Sequence, residues 1–200
     1  MRTATQSTIS RKWTARQEEI LLRLSRFGYA TRTHLQAAID LGAERNANRI
    51  LARLESDGYV KSWRRESKVY GLTAAGAAMI GEELRKGGHI EHALLRNDAW
   101  LALGKPKDWR IEAGFKFGPR TIIPDAISQA ENLRVIEIDR KQKAGVNREK
   151  LRTYADLQRA YRQHGRVAPE IIFVTITEGR AMMLRKMAED VRCAARVIIL

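Results

Sequence analysis

The side chains best placed to do chemistry are the carboxylates of Pro124-Asp125 and of Glu137-Ile138-Asp139. Residues two apart on a strand share a face. Glu137 and Asp139 therefore point the same way, and Lys141 joins them if the strand continues. If Asp125 sits on the neighbouring strand of a hairpin, the carboxylates converge. Clustered carboxylates repel unless a cation neutralises them, and hard, oxygen-seeking Mg²⁺ or Mn²⁺ suits that role. A purely structural role stands beside this one, with Glu137 or Asp139 paired to Arg140, Lys141 or Arg148. No other catalytic constellation is legible. His89 and His92 are spaced to share a helix face but no third ligand stands near them. Cys193 has no histidine partner, and no Walker A or dinucleotide fingerprint is present.

A second group of residues suits an anionic polymer. Arg45, Asn46, Asn48, Arg49 and Arg53 fall opposite the apolar face of one helical stretch, and Arg64, Arg65 and Lys68 surround a short polar turn. Asn and Arg can read adenine and guanine edges with two hydrogen bonds each, while turn arginines and lysines can meet phosphates. A merely solvated face is the competing reading. The chain has 200 residues, 37 Lys plus Arg against 23 Asp plus Glu, and a formal net charge of +14. Because the basic residues are spread along the chain, they favour nucleic acid over a membrane surface. At 44% hydrophobic the chain can bury a core. It shows no long apolar span and no apolar leader, and a single cysteine gives no disulfide framework. The expected location is cytoplasmic.

The elements that must hold these residues follow from periodicity. Residues 1–14 are polar and read as a flexible basic arm, with Arg2, Arg11 and Lys12 able to touch nucleic acid. Thr14 and Gln17 form a capping box, and Ile20, Leu21, Leu24 and Phe27 make one helical face. A second helix starts near Thr31 or Thr33, and a third runs from Ala43 to Asp57. Two strands, Tyr59–Trp63 and Val69–Leu72, flank a polar turn. Thr73 caps a small-residue helix expected to run to Gly87-Gly88. The next helix spans His89–Leu103, with Leu94, Leu95 and Trp100 as candidates for either core or a dimer seam. Strands are expected at Thr121–Ala126 and Leu133–Asp139. A long helix covers Asn147–His164, Glu170–Ile176 is a buried strand, Glu178–Arg192 is a helix holding up to Cys193, and Arg196–Leu200 is a last strand.

Helix, helix, helix, hairpin, helix is the order of a winged helix-turn-helix, and LARLESDGYVKSW with VYGLTAAG resembles such domains over residues 15–86. IPDA and VIEIDRK resemble the PD-(D/E)xK nuclease superfamily, in which the carboxylates hold Mg²⁺ and a lysine helps activate water. Here Asp139 stands at the lysine position, so Lys141 or Lys150 would have to substitute. The combination of winged helix, RNDAWLAL, IPDA and VIEIDRKQK resembles the replication-relaxation family of plasmids, phages and integrative elements. The resemblance implies an α/β chain, α+β overall, with a winged helix-turn-helix followed over residues 89–200 by an αβββαβαβ restriction-endonuclease-like domain. It implies a DNA-binding accessory protein of a mobile element in replication, mobilisation or transcription control, with an inactive nuclease-like domain, with double-stranded DNA and a relaxase or replication protein as partners, and with a homodimer as one assembly. A Mg²⁺-dependent endonuclease using Asp125, Glu137, Asp139 and Lys141 is the enzymatic alternative. A regulator whose second half senses a ligand or oligomerises is another. No cofactor is expected unless the nuclease-like site is active.

Overall fold

A computed structural model describes residues 14–84, 88–129 and 132–200. The expected basic arm, except Thr14, and Gly87 of the expected boundary lie outside the described residues.

The chain opens with α1 (Ala15–Phe27), and the Thr14–Gln17 capping box is present at its start. Gly28 ends it at φ 74°, a conformation glycine adopts without strain, and its N–H bonds the Leu24 carbonyl. Strand β1 (Tyr29–Thr31) follows, then α2 (Arg32–Ala38) and α3 (Glu44–Ser56). Strands β2 (Val60–Arg64) and β3 (Lys68–Leu72) form the expected hairpin, and α4 (Ala74–Met79) closes this part. The sequence reading missed β1, which pairs antiparallel with β3 and gives a sheet ordered β1-β3-β2. Three residues wedged between two helices are too few to show a period. Helix α4 is also shorter than expected, because Gly81 turns at φ 70° directly after it. Ile20, Leu21, Leu24, Leu35, Leu51 and Leu54 are fully buried between these elements, so the helical spacing that marked them reports core.

Helix α5 (Ile90–Ala102) leads into β4 (Arg110–Ile111), the small hairpin β5 (Phe115–Phe117) and β6 (Arg120–Ile122), then β7 (Ala126–Ser128) and β8 (Arg134–Asp139). Helix α6 (Ala144–Gln163), β9 (Glu170–Thr175), α7 (Glu178–Asp190) and β10 (Ala195–Ile199) complete the chain. One sheet is ordered β10-β9-β8-β7-β4, parallel across β8, β9 and β10 and antiparallel at β7 and β4. Alternation along the strands splits its core in two. Ile136, Ile138, Ile172 and Val174 pack with Leu95 and Ala99 of α5. Val135, Ile171 and Phe173 pack with Leu151, Tyr154 and Leu184 of α6 and α7. The sheet therefore carries α5 on one face and α6 with α7 on the other, a mixed α/β architecture.

Two local expectations are corrected, at Thr121–Ala126 and at Cys193, and the condition set on Lys141 is not met. The strand expected at Thr121–Ala126 is broken, with Pro124-Asp125 between β6 and β7; proline has no N–H for a ladder. Strand β8 stops at Asp139, whose carboxylate accepts the Gln142 N–H at 3.0 Å and turns the chain toward α6. Lys141 therefore leaves the strand and stands exposed. Cys193 lies beyond the end of α7, buried in the turn before β10, where burial pushes its thiol up to about 12.

Helix α5 also joins the two parts. Leu95 and Trp100, weighed above as seam residues, are buried in the two cores. Trp100 packs on Phe27 with ring centroids 5.2 Å apart. Arg96 donates to the Phe27 carbonyl at 3.0 Å, and Asn97 donates to the Tyr29 carbonyl at 2.6 Å. The ring of His34 meets Asp98 at 2.8 Å. The RND of RNDAWLAL thus clasps the α1–β1 turn through Arg96 and Asn97 and the start of α2 through Asp98. Among the described residues no helix is long and apolar enough to cross a membrane.

Candidate functional site

Register brings the carboxylates to one end of the sheet. Ala126 pairs with Ile136, which sets Asp125 beside the Glu137 end of β8. Each carboxylate then finds its own partners. Asp125 meets Nε2 of His92, from α5, at 2.9 Å, and accepts the Ile138 N–H at 2.6 Å. Burial alone would raise its carboxyl, but His92 and the Ile138 amide outweigh burial and hold it below the ordinary range.

Glu137 is 2% exposed. Lys150 donates to its Oε2 at 2.5 Å, and the Tyr154 hydroxyl donates to its Oε1. Burial outweighs the Lys150 ammonium here, and with the Asp125 charge nearby it pushes Glu137 up to about 7. Burial and the Glu137 charge in turn raise the Tyr154 phenol, which keeps it a donor. Asn147, Lys150 and Tyr154 stand at helical spacings of three and four on α6, so a single face supplies all three. Asp139 is 1% exposed. Arg180 of α7 reaches both its oxygens, at 2.7 and 2.8 Å, and Asn147 donates to Oδ2 at 3.0 Å. Arg180 also donates to the Gln142 carbonyl at 2.8 Å, which fixes the guanidinium in place.

The pairing is one to one: Asp125 with His92, Glu137 with Lys150, Asp139 with Arg180. The cation that clustered carboxylates require is supplied by side chains of the chain itself. Lys150 and Arg180 already neutralise Glu137 and Asp139, so a divalent ion placed among these carboxylates would be set against two fixed cations of the chain. These residues, as arranged, do not fit a Mg²⁺ or Mn²⁺ site. Among the described residues no group of three or more His, Cys, Asp or Glu side chains could hold a metal ion. Sequence reasoning placed Glu137 and Asp139 correctly on one strand. It named Lys150 only as a substitute, and it missed His92, Tyr154, Asn147 and Arg180 as members of the site. Only the spacing of Asn147, Lys150 and Tyr154 on one helix face was there to be found; His92 and Arg180 arrive by tertiary packing.

The basic residues divide by exposure. On α3, Ala47, Leu51 and Leu54 are buried while Arg45, Asn48, Arg49 and Arg53 are exposed on the other side. Asn46 behaves differently: its amide donates to the Leu41 carbonyl at 2.8 Å and its oxygen accepts from Arg49 at 2.8 Å, so it braces the loop into α3. Asn48 accepts from Arg32 at 3.5 Å, and Arg32 also pairs with Glu44. Arg64 and Arg65 are exposed at the tip of the β2–β3 hairpin. Lys68 is drawn back to Glu55 at 2.7 Å.

A mixed α/β chain with a small three-stranded sheet, a clasping helix and a five-stranded sheet carrying paired carboxylates is the class these observations define. Residues 21–171 match the model of the Replication-relaxation family, about three quarters of the chain. The chain belongs to that family, and membership points to a role connected with replication. No curated protein matches it.

Proposed function

We propose that this chain binds duplex DNA through residues 14–84, read as a winged helix-turn-helix, and acts as an accessory protein in the replication or mobilisation of a mobile element. Helix α3 is the recognition helix and the β2–β3 hairpin is the wing. The carrying observation is the face of α3: Arg45, Asn48, Arg49 and Arg53 stand exposed, with Arg64 and Arg65 on the hairpin, on a chain of net charge +14. Arg and Asn at those positions can contact base edges, and the hairpin arginines can contact phosphates. The second part, read as a PD-(D/E)xK-like sheet, serves as a scaffold whose acidic residues are neutralised internally.

Fluorescence anisotropy of a labelled duplex at moderate salt tests this. The expected result is binding that weakens about tenfold or more in Arg49→Ala/Arg53→Ala and falls steeply with salt. Absence of duplex binding by the unaltered chain overturns the reading. Nicking of supercoiled plasmid in Mg²⁺ that disappears in Asp125→Ala would replace the scaffold role with an endonuclease.

A further inference from the structure

Glu91, in the first turn of α5, stands between two arginines from distant parts of the chain. Its Oε1 lies 3.9 Å from Nη2 of Arg65 at the hairpin tip, and its Oε2 lies 3.9 Å from Nη1 of Arg140, the residue after β8. The three side chains are 44%, 54% and 30% exposed. Arg64 is exposed beside Arg65, and Lys141 and Lys143 are exposed beside Arg140. The basic surface of the hairpin and that of the β8–α6 loop therefore meet at Glu91.

We propose that Arg65 and Arg140 form one phosphate-binding pair across the two parts of the molecule, with Glu91 holding the phosphate's place until a duplex arrives. Both contacts of Glu91 are longer than hydrogen bonds and exposed, so each contributes little. Its own backbone N–H, with the Arg65 and Arg140 charges, holds its carboxyl below the ordinary range. A phosphate diester offers guanidinium groups the bidentate geometry they match, and unlike Glu91 it arrives on a polymer whose neighbouring phosphates meet Arg64, Lys141 and Lys143. On this account a duplex held by α3 and the hairpin also touches the β8–α6 loop, and Glu91 competes with it. The proposal rests on the duplex-binding reading above.

The test is the affinity of the full chain for a fluorescein-labelled mixed-sequence duplex, titrated at several KCl concentrations. Arg140→Ala is expected to weaken binding about 3- to 10-fold and to lower the log–log salt slope by about one. Glu91→Gln is expected to tighten binding by a similar factor, and that gain should shrink in Glu91→Gln/Arg140→Ala. Circular dichroism checks that each variant is folded. If Arg140→Ala and Glu91→Gln match the unaltered chain while Arg49→Ala binds more weakly, the arginine pair is wrong and duplex binding by α3 stands. If the unaltered chain binds no duplex, both fall.

Discussion

Glu137 is a carboxylic acid held almost entirely out of water. Burial pushes its carboxyl up to about 7 in the folded chain, against an ordinary 4.5. A group that binds its proton more tightly when folded stabilises the fold fully below the lower value and loses that contribution as pH rises through the upper one. Stability should therefore fall between about pH 4.5 and 7, by at most about 1.4 kcal/mol per pH unit from this group. Glu137→Gln should flatten that part of the profile in urea melts taken at several pH values; an unchanged profile would show that another group sets it. Asp139 predicts a different outcome. Asp139→Ala leaves buried Asn147 and the part-exposed Arg180 without their acceptor; breaking a fully buried pair costs about 3 to 5 kcal/mol, and water reaching Arg180 lowers that to about 2 to 3 kcal/mol. Chemical denaturation measures that directly, and a loss under about 1 kcal/mol would mean that Arg180 finds another acceptor.

At the scale of elements, α4 packs closely on the turn that leads into β2. A Cβ added at Gly76 would lie 1.9 Å from the Tyr59 carbonyl oxygen, while Thr73 holds the same junction by donating to the Gly58 carbonyl at 2.6 Å and accepting the Gly76 N–H at 3.0 Å. Gly76→Ala should cost about 1 to 3 kcal/mol in spite of alanine's better helix propensity. A neutral effect in thermal melts would show that α4 slides freely. Elements of this kind were largely legible in the sequence, because α1, α3, α6 and β9 each carry a long apolar period or run. What escaped was short or set from a distance. β1 and β4 are too brief for a period. Pro124-Asp125 reads as strand until Ile138 is seen to donate to the Asp125 carboxylate, and Lys141 reads as in line until Asp139 turns the chain. The site suffered the same way: the carboxylates were found, but their partners His92 and Arg180 sit on helices that only the sheet brings near.

At the scale of the whole molecule, α5 decides whether the chain behaves as one body. One side of it packs on the five-stranded sheet and the other clasps the α1–β1 turn through Arg96, Asn97 and Trp100. A single cooperative thermal transition is expected of the intact chain. Trp100→Ala should cost about 3 to 5 kcal/mol and, combined with Asn97→Ala, split the calorimetric transition into two. One transition that merely shifts to lower temperature would show that other contacts hold the parts together.

The same clasp bears on how the protein is made. The Phe27 and Tyr29 carbonyls are bonded by donors that follow 69 and 68 residues later in the chain. A ribosome therefore releases the first small sheet well before the side chains that close its open turn have emerged. During that interval the Phe27 ring lacks its Trp100 cover, and the nascent chain exposes an apolar patch for several seconds at ordinary rates of synthesis, roughly 5 to 20 residues per second. A fragment ending near residue 84 should stay in that condition and aggregate, while one extended past α5 should stay in solution.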